Sequence, residues 1–229
     1  MTGNLAERLE KVKKQIAAAA HKAGRSGEEI TLIAVSKTHP ASVLREAIAA
    51  GAGVLGENKV QEAEGKILEI GRGKAEWHLI GHLQSNKARK AVRLFDAIHT
   101  IDSVELAARL ERICIEENVS QLSVFAQVDL AREATKSGID EKDLPELIEF
   151  LRSCKQLKLE GLMILPPFFG EVEKVRPFFA RLRELRDKFV PGGKLSMGMS
   201  HDFALAIEEG ATHVRVGTAI FGERNYANR

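Results

Sequence analysis

Eight short runs rich in aliphatic and β-branched residues recur along the chain, each followed by a stretch that suits a helix or a loop. They are TLIAVS (31–36), GVLGEN (53–58), EWHLIG (76–81), AIHTID (97–102), LSVFAQVDL (122–130), LEGLMIL (159–165), KLSMGMS (194–200) and THVRVG (212–217). Most are continuous in polarity rather than alternating, as parallel strands covered by helices require. Repeated strand-then-helix units of this number predict an α/β fold, a single (β/α)8 TIM barrel. A doubly wound open sheet is the alternative. The number of units disfavours it, as does the lack of a G-x-G-x-x-G after the first run.

The punctuation agrees. Pro40 suits the first turn of a helix over ASVLREAIAAG, and Gly51 closes it. Ser103 suits the cap of VELAARLERICIEEN, with Glu105 near the capping-box position. The segment 173–190 has apolar residues at three- and four-residue intervals and stops at Pro191, Gly192 and Gly193. Residues 1–24 read as an amphipathic helix packed on the barrel, and 223–229 as a polar tail, within one domain spanning 1–229.

Composition narrows the function classes. The chain has 229 residues, 44% of them hydrophobic and 29% charged, which suits an ordered domain with a sizeable core. A net charge of +2 does not suggest a nucleic-acid partner, and the basic stretch SNKARKAVR (85–93) reads as a solvated helix face. Cys114 and Cys154 lie in helical patterns with no CxxC, as expected of reduced core thiols in an intracellular protein. No apolar stretch is long enough to cross a membrane, so no membrane partner and a cytoplasmic location are expected.

A barrel places its chemistry at the C-terminal ends of strands and keeps the strand interiors apolar. Lys37 follows LIAVS at such an end. Facing the mouth, its partly desolvated ammonium would give up a proton readily and offer a nucleophilic amine for a carbonyl. Bent outward, it would be an ordinary solvated lysine. Barrels often bind phosphate after strands seven and eight, where this chain has Ser200 and then Gly217-Thr218. An amine on one rim position and an anion cradle on another suit a ligand with an aldehyde and a phosphate, and pyridoxal 5′-phosphate (PLP) is the obvious candidate. Arg215 would then face the pyridine nitrogen, whereas a salt bridge to a carboxylate such as Glu57 is its structural alternative.

Other constellations lead nowhere. His78 and His82 lie on a strand end without the glutamate of an HExxH site, so no metal is expected. Glu57 and Glu62 read as a surface pair on a helix, and no serine sits in a G-x-S-x-G elbow.

The segments AVSKTHP, GENKVQEAEGK, WHLIGHLQSNK, GLMILPP and SMGMSHDFALAIEEGATHVRVGTAIFG together resemble the pyridoxal phosphate homeostasis protein family. Its members are single-domain PLP-binding proteins similar to the barrel half of bacterial alanine racemases. The resemblance runs from about residue 30 to 222. It implies a PLP aldimine on Lys37, phosphate contacts from Ser200, Gly217 and Thr218, and Arg215 at the pyridine nitrogen. Asn58, Met199 and His82 match positions lining the cofactor. One departure is MILPP, where many relatives carry threonine before the prolines. The loop REATKSG (132–138) also matches the family, with no physical role evident.

The resemblance implies a carrier or buffer of PLP that supports vitamin B6 and amino-acid pools, with no established catalysis. In the racemases a tyrosine from a second, all-β domain of the partner subunit is the opposite base. The single tyrosine here, Tyr226, falls in the tail. An arginine at the pyridine also stabilises a carbanion poorly. A monomer that meets apo PLP-dependent enzymes transiently is therefore expected. A PLP-dependent racemase or lyase using His82 or His201 as second base is the alternative, and a sugar-phosphate aldolase built on Lys37 is a third reading.

Overall fold

The structure, a computed structural model, describes residues 4–131 and 137–222. The expected polar tail, Tyr226 and most of the 132–138 loop lie outside the described residues. Helix α1 (Leu5–Lys22) starts at a reciprocal capping box between Asn4 and Glu7. Its buried face of Leu5, Leu9, Val12 and Ile16 packs on the last two short helices of the chain. Strands and helices then alternate: β1 (Thr31–Val35), α2 (Ala41–Ala49), β2 (Val54–Glu57), α3 (Val60–Ile70), β3 (Glu76–Leu79) and α4 (Ala88–Leu94). There follow β4 (Ala97–Ile101), α5 (Val104–Glu116), β5 (Leu122–Asp129), β6 (Ile139–Asp140), α6 (Leu144–Ser153) and β7 (Leu157–Ile164). The chain continues through α7 (Arg176–Phe189), β8 (Lys194–Met199), α8 (Phe203–Glu208), β9 (His213–Val216) and α9 (Thr218–Phe221).

All strand pairs are parallel, and the order β4-β3-β2-β1-β9-β8-β7-β5 closes through β4–β5. This is the (β/α)8 barrel. The two-residue β6 is an addition, paired to the end of β5 through Val128↔Ile139. The main core lies between the strands and the helices, where Leu55, Leu79, Ile98, Val124, Leu162, Leu195 and Val214 meet Leu44, Ala63, Leu110, Leu147, Phe179 and Leu182. Each fully buried aliphatic side chain contributes roughly 1.5–3 kcal/mol, so this layer carries the stability of the barrel.

Local details follow from simple causes. Ser103 Oγ accepts the N–H of Leu106 and caps α5. Pro40 occupies the cap position of α2 in an extended conformation, one residue before the first helical turn. The segment 173–190 divides: a 3-10 turn covers Val172–Val175, and α7 starts at Arg176 with Pro177 in its first turn, where no N–H is needed. On α4 the alanines and valine of SNKARKAVR face inward, while Arg89 and Arg93 pair with Glu117 and Lys90 with Glu64. Cys114 is a buried free thiol on α5, whereas Cys154 is only half-buried at the end of α6. Burial pushes both thiols up to about 11. Among the described residues no helix is long and apolar enough to cross a membrane.

One expectation of the sequence fails here. The strand interiors are not uniformly apolar, because His78, His99, Ser196, His213 and Arg215 are all buried on them. His99 on β4 meets Ser196 on β8 at 2.8 Å, and those strands are not neighbours, so the contact crosses the lumen.

Candidate functional site

A cavity of about 370 Å3 opens where the barrel strands end. Lys37, Asn58, Met199, Ser200, Arg215, Gly217 and Thr218 all line it, so the first and last strands bring residues some 180 positions apart to one rim.

Lys37 follows β1 and is half-buried. The next residue, Thr38, has φ +68°, a left-handed conformation that β-branched residues rarely adopt. Its N–H donates to the Glu62 carboxylate. Lys66 Nζ anchors the same turn by donating to Ser36 O at 2.8 Å, Glu57 Oε1 at 2.7 Å and Glu62 Oε1 at 2.7 Å. Ser36 Oγ donates to Glu57 Oε1 at 2.6 Å. The expectation of Glu57 and Glu62 as a surface pair on one helix is corrected by this arrangement. Glu57 ends β2, is fully buried, and is held by Lys66, while Glu62 stands alone of the two on α3. Burial pushes the Glu57 carboxyl up, against the pull of Lys66. Lys66 escaped sequence reading, although its i,i+4 spacing from Glu62 was a signal.

Asn58 continues from β2 onto the rim. A Cβ at Gly81 would lie 2.3 Å from Asn58 O, so only glycine lets these two turns pass. On the opposite side an irregularity gives β8 one residue more than β9 between the pairs Ser196↔His213 and Met199↔Arg215. Gly198 absorbs it at φ +92°, where a Cβ would lie 2.6 Å from Ala206 Cβ. Asp202 Oδ1 accepts the N–H of Met199 at 2.6 Å, and Ser200 Oγ accepts the N–H of Gly217 at 3.2 Å. Thr218 then opens α9 with its side chain exposed to the rim.

Arg215 is 3% exposed. Its Nη1 donates to Ser196 Oγ at 2.7 Å and its Nη2 to Ile164 O at 2.8 Å. Burial lowers its pKa to about 10, opposed by Asp202. The salt bridge to Glu57 is therefore not formed; Glu57 is engaged by Lys66 and Ser36 instead.

His82 does not join the cavity lining. It is half-exposed and faces Asp102 at 3.4 Å. His201 does line it, against the Phe168 ring at 5.5 Å. His39, stacked on Phe221 at 4.8 Å, and the exposed Phe168 are lining residues that sequence reading missed. Leu165, from the MILPP segment, forms the edge near them. Among the described residues no group of three His, Cys, Asp or Glu could hold a metal ion.

The alanine racemase N-terminal domain family matches residues 8–225. The pyridoxal phosphate homeostasis protein of Aquifex aeolicus (strain VF5) is 42% identical over 228 residues, which cover 97% of this chain and 100% of that protein. The chain belongs to the pyridoxal phosphate homeostasis protein family. PipY of Synechococcus elongatus PCC7942, solved with PLP bound, superposes with a TM-score of 0.83 at 42% identity, covering 96% of this chain and 100% of PipY. The alanine racemase of Corynebacterium glutamicum is similar in fold alone, with 18% identity and a TM-score of 0.64; the match covers 96% of this chain and 63% of the racemase. The homeostasis relatives are thus matched end to end and are not named for a reaction, whereas the racemase is matched over part of its length.

Proposed function

We propose that this chain binds PLP at the rim cavity, attached covalently through Lys37, and carries or buffers the cofactor in support of vitamin B6 and amino-acid homeostasis. One observation carries the reading: a lysine amine and a hydroxyl-rich turn share a cavity whose wall holds a buried arginine that, among the described residues, has no carboxylate bound to it. The donor set suits the cofactor group by group. Lys37 offers the amine. Ser200 and Thr218 offer hydroxyls and backbone N–H groups for a phosphate, and Gly217, its own N–H held by Ser200 Oγ, lets the backbone come close to it. Arg215 offers a donor for the pyridine nitrogen, with Asn58 and Met199 beside the ring. His82 is left out of this set, because it lies off the lining. Relatives named for PLP homeostasis, and PipY solved with PLP, support the same assignment.

When bound, PLP supplies an aldehyde that a primary amine captures reversibly and a ring that withdraws electrons. The residues of this chain favour holding over transforming. Arg215 can only donate, so it leaves the pyridine nitrogen unprotonated and the electron sink weak. The turn through Thr38, Glu62 and Lys66 anchors the backbone on both sides of Lys37. We extend the reading to a monomer that acts in the cytoplasm and releases PLP to apo-enzymes in passing encounters.

Absorption near the visible edge in the purified protein, and its loss in Lys37→Ala, test the assignment. Borohydride reduction followed by mass spectrometry should place the adduct on Lys37 in the wild type. An adduct retained in Lys37→Ala would overturn it. A PLP-dependent racemase or lyase is the second reading, because His201 lines the same cavity as Lys37. Rapid α-proton exchange on amino acids, lost in His201→Gln, would favour it over transfer of PLP to an apo-enzyme.

A further inference from the structure

Lys37 sits in a tight turn whose ends are joined. The Ser36 N–H continues the β1 ladder by donating to Gly56 O at 3.0 Å, and the His39 N–H donates back to Ser36 O at 3.2 Å. Lys37 and Thr38 are therefore the two central residues of a β-turn. Its type follows from Thr38, whose φ of +68° belongs to the third position of a type II turn. Glycine or asparagine ordinarily holds that position, because a β-branched side chain is strained there. A type I turn would place Thr38 at about −90°, without that strain. Something outside the turn overrides the preference of the threonine.

The two turn types differ by a flip of the peptide plane between Lys37 and Thr38. In the type I form the Thr38 N–H points the other way, and the Lys37 carbonyl takes its place. Glu62 tells the two forms apart. Its carboxylate accepts the Thr38 N–H, and after a flip it would face a carbonyl oxygen, which has no hydrogen to give. Against its partial burial, Lys66 and the Thr38 N–H hold the Glu62 carboxyl below its ordinary range, so it is an ionised acceptor at neutral pH.

Helix α3 makes the contact rigid. Glu62 and Lys66 stand one turn apart on it, paired at 2.7 Å, while Val60, Ala63 and Ile67 seat the helix in the core. Lys66 Nζ also donates to Ser36 O at 2.8 Å. One helix face thus grips the turn at its first carbonyl and at the N–H of its third residue. Lys37 lies between these two points, with Val35 and His39 beside it on the cavity lining.

We propose that Glu62 is a positioning residue for Lys37: by holding the turn in its type II form, it sets the backbone angles from which the amine reaches the cavity. A flip would change ψ of Lys37 from about +120° to about −30°. The rotamers open to a side chain depend on those angles, so the flip would redirect the amine. The use of this placement, capture of an aldehyde, rests on the cofactor reading above. The hold on the turn exists without a ligand.

Two measurements test the assignment. In the ligand-free full chain, NMR reads the Overhauser effect between N–H and Hα within Thr38, which is strongest at positive φ. It should be strong in the wild type and in Glu62→Gln, whose amide oxygen still accepts, and weak in Glu62→Ala. An effect equally strong in Glu62→Ala would overturn the hold. Stopped-flow absorbance then follows covalent capture of PLP. The rate should fall about tenfold in Glu62→Ala and stay near the wild-type value in Glu62→Gln. It should recover in Glu62→Ala/Thr38→Gly, because glycine takes a left-handed φ at little cost. A residue that merely partners Lys66 would not be rescued by Thr38→Gly, so a loss that persists in the double variant would overturn the positioning role. An equal loss in Glu62→Gln would do the same, by tracing the effect to the charge beside Lys66. A wild type that captures no PLP defeats the cofactor reading and the role of the amine with it, whereas the Overhauser series judges the hold on the turn by itself.

Discussion

Ser200 Oγ accepts the backbone N–H of Gly217 at 3.2 Å and so joins the turn after β8 to the turn after β9. Two segments that would otherwise move independently share one edge of the cavity. A phosphate held there gains donors already fixed in place, which lowers the ordering cost of binding. Removing one hydrogen bond to a charged group costs about 1.5–3 kcal/mol, or roughly tenfold or more in affinity. Ser200→Ala and Thr218→Val should each weaken PLP binding by at least that factor. Fluorescence titration of the ligand-free protein measures it, and unchanged affinity in both variants would place the phosphate elsewhere.

The Glu57–Lys66 pair makes a sharper energetic prediction. Lys66 is 9% exposed in its side chain and Glu57 not at all, so neither charge can turn to water. Lys66→Ala leaves a buried carboxylate without its cation, a loss of about 3–5 kcal/mol. The double variant Glu57→Gln/Lys66→Met removes both charges and should recover most of that loss. Urea denaturation gives both values. A double variant as unstable as the single would show that backbone anchoring at Ser36 O, rather than charge, dominates.

Arg215 separates binding from stability. Its burial is costly and among the described residues no carboxylate is bound to it, so Arg215→Met relieves a desolvation cost while Ser196 and Ile164 O lose a donor. These effects oppose each other, and the net change in ligand-free stability should stay within about 1 kcal/mol. PLP affinity should fall and the bound spectrum should shift. Thermal unfolding beside PLP titration tests the pairing, and a large stability loss with normal binding would make Arg215 structural.

Residues at strand ends were legible because a barrel sends them all to one rim. Lys37, Ser200, Gly217 and Thr218 therefore followed from eight hydrophobic runs and where each one stops. Contacts set by strand tilt and lumen geometry were not legible. No local pattern announces that His99 will meet Ser196, 97 positions away, across the barrel. Glu57 was misread because it and Glu62 look alike in sequence, yet a strand end and a helix turn separate them. His82 shares the strand-end signal of Asn58, but its ring turns toward Asp102.

The lumen histidines set the response to acid. His213 is held at about 3 by burial, and His99 is lowered for the same reason. Both are neutral when folded and free to protonate when unfolded, near an ordinary pKa of about 6.5. The unfolded state thus binds more protons below that pH, and stability falls as pH drops from there toward the folded values. Each such histidine steepens the loss by up to about 1.4 kcal/mol per pH unit. Urea midpoints measured from pH 7.5 to 5 should be flat at first and then decline. His213→Gln should reduce that slope by about one proton. A decline that starts only below pH 5, in the carboxylate range, would mean that the lumen rings are already charged in the folded barrel.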